Sequence, residues 1–552
     1  MLADGGEVAL VDLREEGVFA QRHLLFARSL PLSRLELTFA RLVPRRATRV
    51  VLCDDDDGLT ERAAEILARA GYTNLYQLAG GVGAWEAAGF PLFSGVNVPS
   101  KAFGEFVEHV SATPSVGADE LAALMQAKAN IVVLDSRPFD EYQRVSIPTA
   151  INVPGAELVL RVRDLAPSPD TTVVVNCAGR TRSIIGAQSL IDAGVPNKVV
   201  ALRNGTMGWN LAGLTCDHGK ARRAPSPSRD ALAWAKSAAA AVARRFDIAC
   251  IDGGTLERFR ADTERTLYLF DVRDPDEYAA GHVAGALSAP GGQLVQATDS
   301  YIGTLGARVV LIDDAEVRAL MTASWLKQMG FADVSVLAEA GTETGVPAAP
   351  LIGEPAPAEL AIDCSELAAL IAREEATVID LSLSREYRAA HIPGAWFAIR
   401  ARLAQALPTI PLRATLVLTS QDGVLAGLAA RDVEALAGAQ GIACRPRESG
   451  DPVHTDSAVI TGSRLSARYA RSGRDDGKVG VRWLAGGNAA WRAAGHPLTD
   501  AEPRMADEPI DVWLKPYERP HDTTQAMRDY LAWEVHLPAR IAADGTARFT
   551  KA

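Results

Sequence analysis

The stretch Thr171-Thr-Val-Val-Val-Asn-Cys177-Ala-Gly-Arg180-Thr-Arg182-Ser183-Ile-Ile-Gly-Ala-Gln-Ser-Leu190 decides the reading of this chain. A β-branched run ends at a cysteine, a short loop with one Gly and two Arg follows, and a helix-like stretch begins at once. A strand–loop–helix of this kind sets a thiol at a helix N-terminus, inside a ring of backbone N–H groups. Such a place forms a thiolate and binds an anion.

Working outward, the surrounding pattern recurs four times. Each copy opens with an apolar strand ending in Asp: Asp12, Asp135, Asp271 and Asp380, followed at the second next position by Arg14, Arg137, Arg273 and Ser382. Acidic-aromatic pairs come next, as in Glu141-Tyr142, Glu277-Tyr278 and Glu386-Tyr387. A turn then carries Ser146, His282 or His391 ahead of an Ile-Pro-like step. A second apolar strand leads into the loop, and the copies close on a Gly-rich turn and a helix with Trp85, Trp209 or Trp491. The third copy lacks that Trp and looks degenerate. Short apolar strands alternating with helical stretches predict an α/β fold: mostly parallel sheets flanked by helices, with each loop at the C-terminal end of a strand, where open sheets bind ligands.

The repeat divides the chain into units at 1–98, 112–220, 247–345 and 360–500, with a tail at 501–552. Pro- and Ser-rich 221–229 and Pro-rich 345–357 read as linkers. The aromatic residues of the tail predict that it packs on the last unit. The first unit has a shorter lead than the second, where Ala118–Met125 predicts a helix, which leaves open whether the natural start lies upstream of Met1. The segment 444–480 interrupts the fourth unit without a periodic apolar face. It resembles the translated palindromic repeats found inside some bacterial reading frames and is expected to be a disordered surface loop with no function of its own.

Composition narrows the function. The 552 residues are 48% hydrophobic and 23% charged, as in a soluble globular protein, and the length asks for several domains. A net charge of −11 and the lack of basic clusters argue against nucleic acid as a partner. No leader or spanning segment is apparent, so no membrane partner and a cytoplasmic location are expected. Six scattered cysteines carry no disulfide framework and suit a reducing compartment.

The Asp-x-Arg strand ends, the Ile-Pro step, Cys-x-x-x-x-Arg-Ser and the closing Gly-rich Trp motif together resemble the rhodanese family of sulfurtransferases. The resemblance covers almost the whole chain as four tandem domains. It implies that Cys177 is the nucleophile, taking a sulfane sulfur from thiosulfate or a similar anionic donor. The sulfur is held as a persulfide and passed to cyanide, a thiol or a protein thiol, by two-step covalent catalysis. It also implies that Ala178, Gly179, Arg180, Thr181, Arg182 and Ser183 form the substrate cradle. Arg180 and Arg182 are expected to depress the Cys177 pKa, and Arg203 to reach the same pocket. Asp135 and Arg137 read as structural. No metal, nucleotide or flavin is required. Cysteine phosphatases that resemble this fold have one more residue between Cys and Arg. The four residues between Cys177 and Arg182 therefore favour sulfur over phosphate.

In the other copies Asp54, Asp313 and Ser420 fall on the nucleophile position, so these domains are expected to be catalytically silent. They are expected to serve as walls of the site, a homodimer interface or a docking surface. Cys53 reads as a strand-end core cysteine. Cys216 with His218 lacks the second ligand pair of a metal site. Asp54 to Asp57 read as a solvated loop. The Trp residues read as hydrophobic anchors, and His282 and His391 as hydrogen-bonded structural groups. Against the enzyme stands a second reading, a persulfide carrier or scaffold that works only with a protein partner.

Overall fold

Parallel pairing dominates because each unit's apolar strands are buried on both faces. The computed structural model describes residues 1–2, 4–439 and 479–551. The insertion read at 444–480 lies outside the described residues up to 478, and Gly480 already belongs to the strand Gly480–Leu484.

The second unit shows the pattern. Its strands run in the order Ser115–Val116, Val199–Leu202, Thr172–Asn176, Ile131–Asp135, Ile151–Asn152, all parallel. The third and fourth sheets repeat this order, and the fourth adds Arg504–Met505 at its edge. The first sheet takes a strand from elsewhere: Thr304–Leu305 of the third unit pairs antiparallel with Val8 and Ala9. Buried Asp–Arg pairs lock three strand ends, with 2.6–2.7 Å contacts at Asp12–Arg14, Asp135–Arg137 and Asp271–Arg273. In the fourth, Asp380 is held by Ser382 and Asn488 instead. His282 and His391 stack on Tyr278 and Tyr387 and bond their backbone carbonyls, which is structural work.

The units are not beads on a string. One continuous apolar core runs from the second unit into the third through the helix Arg229–Arg245, and Trp325 Nε1 donates to Ser189 Oγ across that boundary. Gly155 and Gly292 meet backbone to backbone there: a Cβ on Gly292 would sit 2.9 Å from Gly155 N. Arg400 of the fourth unit binds Glu36 of the first in a buried bidentate pair at 2.8 Å.

Two helices outside the four sheets complete the centre. The linker after the first unit forms a helix over Val98–Ser111, and the tail forms one over Thr523–Asp544. The tail corrects the expectation drawn from its aromatics. Only its first part joins the last unit, through Arg504–Met505 and the carboxylates of Asp507 and Asp511. Its helix instead lies along Val98–Ser111, with a buried stripe of Met527, Leu531, Leu537 and Ile541. Phe549 then packs on Phe103 and Phe106. Among the described residues no helix is long and apolar enough to cross a membrane.

Gly104 sets how closely the linker helix approaches the loop helix Thr181–Asp192: a Cβ there would lie 2.8 Å from Thr181 Cγ2 and 3.0 Å from its Cα. Gly104→Ala should therefore destabilise the protein by about 1–3 kcal/mol, as overpacking does. Urea unfolding followed by tryptophan fluorescence would read this, and a wild-type curve would contradict the close contact.

Candidate active site

Cys177 directly follows the strand Thr172–Asn176, and the helix Thr181–Asp192 starts four residues later. The closing turn clamps the loop between them. Thr206 N and Met207 N donate to the carbonyls of Cys177 and Ala178, at 2.8 and 2.9 Å. Gly205 has φ +52°, and a Cβ on it would sit 2.3 Å from Cys177 O, so only glycine closes this turn. Asn176 Nδ2 ties the strand end to Asp135 at 2.9 Å.

The Cys177 thiol is buried, with 2% of its surface exposed. Its Sγ lies 3.5 Å from Ser183 Oγ. Burial pushes the thiol pKa up, while Arg182 and Ser183 pull it down without overcoming burial. The expectation of a depressed thiol is thus corrected for the resting protein. Arg180 does not help: it is bound by Glu105 at 2.6 and 2.8 Å and by Glu108, and it also reaches Asn204. Arg182 bonds Glu141 at 2.9 Å and Gln293 of the third unit at 3.1 Å. Burial alone would raise the Glu141 carboxyl, but Arg182 and Lys515 hold it at about 2. Arg203 turns out of the site, exposed and bonded to Ser115 Oγ. Its direction follows from the strand pairing of Ser115 with Ala201 at the sheet edge.

The sibling loops show what this geometry holds. Asp54 accepts from the backbone N–H groups of Asp56, Leu59 and Thr60, two, five and six positions on. Asp313 accepts at the same offsets from Ala315, Arg318 and Ala319. Ser420 Oγ accepts from Ala426, again six on. From Cys177 these offsets fall on Gly179, Arg182 and Ser183. In the first and third units the loop thus wraps its own carboxylate, and Asp313 is further bound by Arg318 at 2.8 and 3.0 Å. Cys53 is a core thiol that donates to Val11 O at 3.3 Å. Cys216 and His218 bond Asn210 and the Arg144 carbonyl, and among the described residues no acidic, His or Cys cluster is arranged to hold a metal ion.

A cavity of about 260 Å³ opens over Cys177, and every unit lends it a wall: Glu16 from the first, Gln293 and Gln296 from the third, Arg385 from the fourth. The linker helix contributes Lys101, and the tail contributes Trp513, Lys515, Tyr530 and Glu534. Sequence reasoning missed these last residues. Lys101 Nζ lies 5.1–5.3 Å from the rings of Trp513, Tyr530 and Trp533, an aromatic cage around a buried ammonium. Burial brings its pKa down to about 8, with Glu534 pulling the other way.

The Rhodanese-like domain profile matches residues 1–88, 117–212 and 255–341. The crystal structure of a thiosulfate sulfurtransferase from Pseudomonas aeruginosa is 45% identical, covers 100% of this chain and 97% of that one, and superposes with a TM-score of 0.89. An HTH-type transcriptional regulator from Mycobacterium tuberculosis is 30% identical over 184 residues, covering 29% of this chain and 80% of its own length. An uncharacterized protein from Synechocystis sp. is 36% identical over 92 residues, 17% of this chain and 50% of that protein. This chain belongs to the rhodanese-like family. Its fourth sheet, outside the three profile matches, carries the same strand order as the second and third.

The wrapped carboxylate of the third unit is testable. Asp313→Ala removes one of the carboxylates around a buried Arg318 and leaves the loop N–H groups without their acceptor, so it should cost about 1–3 kcal/mol, as unsatisfied buried donors do. Chemical denaturation reads the loss, and an unshifted transition would mean that the loop does not depend on its carboxylate.

Proposed function

We propose that this protein is a sulfurtransferase in which Cys177 carries a sulfane sulfur from thiosulfate, or a donor like it, to a thiophilic acceptor. One observation carries the reading: Cys177 stands at the loop position where Asp54 and Asp313 of the first and third units accept the loop's backbone N–H groups. In the first step the Cys177 thiolate attacks the outer sulfur of thiosulfate. The new S–S bond forms as the sulfur–sulfonate bond breaks, and sulfite leaves with the electron pair. The persulfide is an anion in a hollow lined by N–H groups at a helix N-terminus, with Arg182 beside it. In the second step the acceptor takes the outer sulfur and the electron pair returns to Cys177 Sγ.

Ala178 to Ser183 form the cradle. Arg182 supplies positive potential, the Ser183 hydroxyl accepts the resting thiol's hydrogen, and Gly179 gives the close backbone approach. Arg180 acts as a strut, fixed by Glu105 and Glu108. A cavity shaped for a small molecule supports turnover of free donor and acceptor over a carrier that needs a protein partner. The four-residue spacing to Arg182 supports sulfur over phosphate.

The test is incubation with thiosulfate, followed by intact mass and by thiocyanate formation with cyanide. Wild type should gain one sulfur and turn over, and Cys177→Ser should do neither. Because burial raises the resting thiol, its thiolate forms above the ordinary thiol range, and loading should keep accelerating as pH rises through that range and beyond it. Sulfur gain without turnover would favour the carrier, and no gain in the wild type would overturn the reading.

A further inference from the structure

The tail helix brings one group to the Cys177 pocket that the transfer steps above leave unused. Glu534 sits in the middle of the helix's buried stripe with 2% of its surface exposed. Its Oε1 accepts from the Tyr530 hydroxyl at 3.0 Å, while Oε2 is buried with no hydrogen-bond partner. That free oxygen is aimed at the loop: a Cβ on Gly179 would lie 3.3 Å from it. A second orphan, Thr181 Oγ1, is buried in the same cavity wall. A carboxyl oxygen without a partner, facing the sulfur cradle, is built to meet a donor from a ligand.

Building on the sulfur-transfer reading, we infer that the acceptor is a small thiol and that Glu534 is the catalytic base that takes its proton. The acceptor R–S–H enters the cavity with its S–H toward Oε2. As the proton passes to Glu534, the acceptor sulfur attacks the outer sulfur of the Cys177 persulfide. The new S–S bond forms, the bond to Cys177 Sγ breaks, and its electron pair stays on Sγ. Glu534 then returns the proton to solvent. The balance is enzyme–S–S⁻ plus RSH giving enzyme–S⁻, R–S–S⁻ and a proton, with no outside oxidant.

The surroundings suit a base working near neutrality. Burial pushes Glu534 up to about 7, against the pull of Lys101 and, less strongly, of Tyr530 and Arg180, while Glu105 adds to the rise. These groups come from the linker helix, the tail helix and the loop, the three elements packed around the carboxyl. The base form is gained as pH rises through about 7, so thiol-dependent discharge should rise to a plateau there.

The experiment uses the full chain loaded with thiosulfate, with discharge of the persulfide by glutathione followed by intact mass. Glu534→Gln should slow discharge roughly 100-fold, the scale of general base catalysis. Its rate should then follow only the thiolate fraction of glutathione, climbing with pH past the wild-type plateau. An aryl thiol already ionised at the assay pH should lose much less in the same variant, a difference that a merely structural role would not produce. Tyr530→Phe gives an independent arm: it removes a hydrogen bond that favours the carboxylate and should move the wild-type inflection to higher pH. Equal loss for both thiols, or a plateau that survives in Glu534→Gln, would overturn the inference. Failure of the wild type to take up sulfur would instead overturn the transfer reading beneath it.

Discussion

Everything in this molecule turns on a hollow of backbone N–H groups between a strand and a helix. In the first and third units the chain enters the helix so tightly that the amides two, five and six positions after the first loop residue point at one carboxylate. Buried donors must be satisfied, and four copies meet the demand in three ways. Asp54 and Asp313 fill it with their own carboxylates, Ser420 meets it with a hydroxyl, and Cys177 brings a thiol whose own hydrogen goes to the Ser183 hydroxyl at 3.5 Å. A carboxylate bound in this way has no reason to leave and cannot carry sulfur. In the first and third units the hollow is therefore filled from within, whereas on the proposed function the second is left for an anion that comes and goes.

A raised thiol in such a place is not a contradiction. The neutral thiol demands little of the N–H groups, and desolvation penalises the bare thiolate of a dry pocket. A bound anion engages the donors that the thiol leaves idle. On the proposed function the cradle is thus better matched to the loaded state than to the resting one, and that difference favours sulfur capture.

Much of this was legible in the chain itself. The strand–loop–helix around Cys177, the Asp–Arg strand ends and the register of Asp54, Asp313 and Ser420 all follow from local pattern, because the hollow is built from residues close in sequence. Arg180 was misread because its neutralising partners, Glu105 and Glu108, sit 75 and 72 positions away. Arg203 was misread because the sheet edge, not the turn, directs it. Lys101, Trp513 and Glu534 were missed because their meaning lies in a contact between a linker and a tail more than 400 residues apart. One signal was available. An acidic residue on the stripe of Met527, Leu531, Leu537 and Ile541 breaks the helix's apolar period, and a buried charge in such a stripe needs a function or a partner.

The third unit shows what a copy without the cysteine does with the loop arginine. Its Arg318 stands where the second has Arg182, and each reaches the other unit: Arg182 to Gln293, Arg318 to Glu157. Arg318 also gathers Asp313, Asp314 and Glu277. Four carboxylates this close repel one another unless a cation stays among them. Arg318 binds resident carboxylates, and through Glu157 it ties the third unit to the second. Gln293 and Gln296 are thereby held at the Cys177 cavity. The third unit is thus a wall of the Cys177 cavity, tied to the second by a buried arginine that stands where the second carries Arg182.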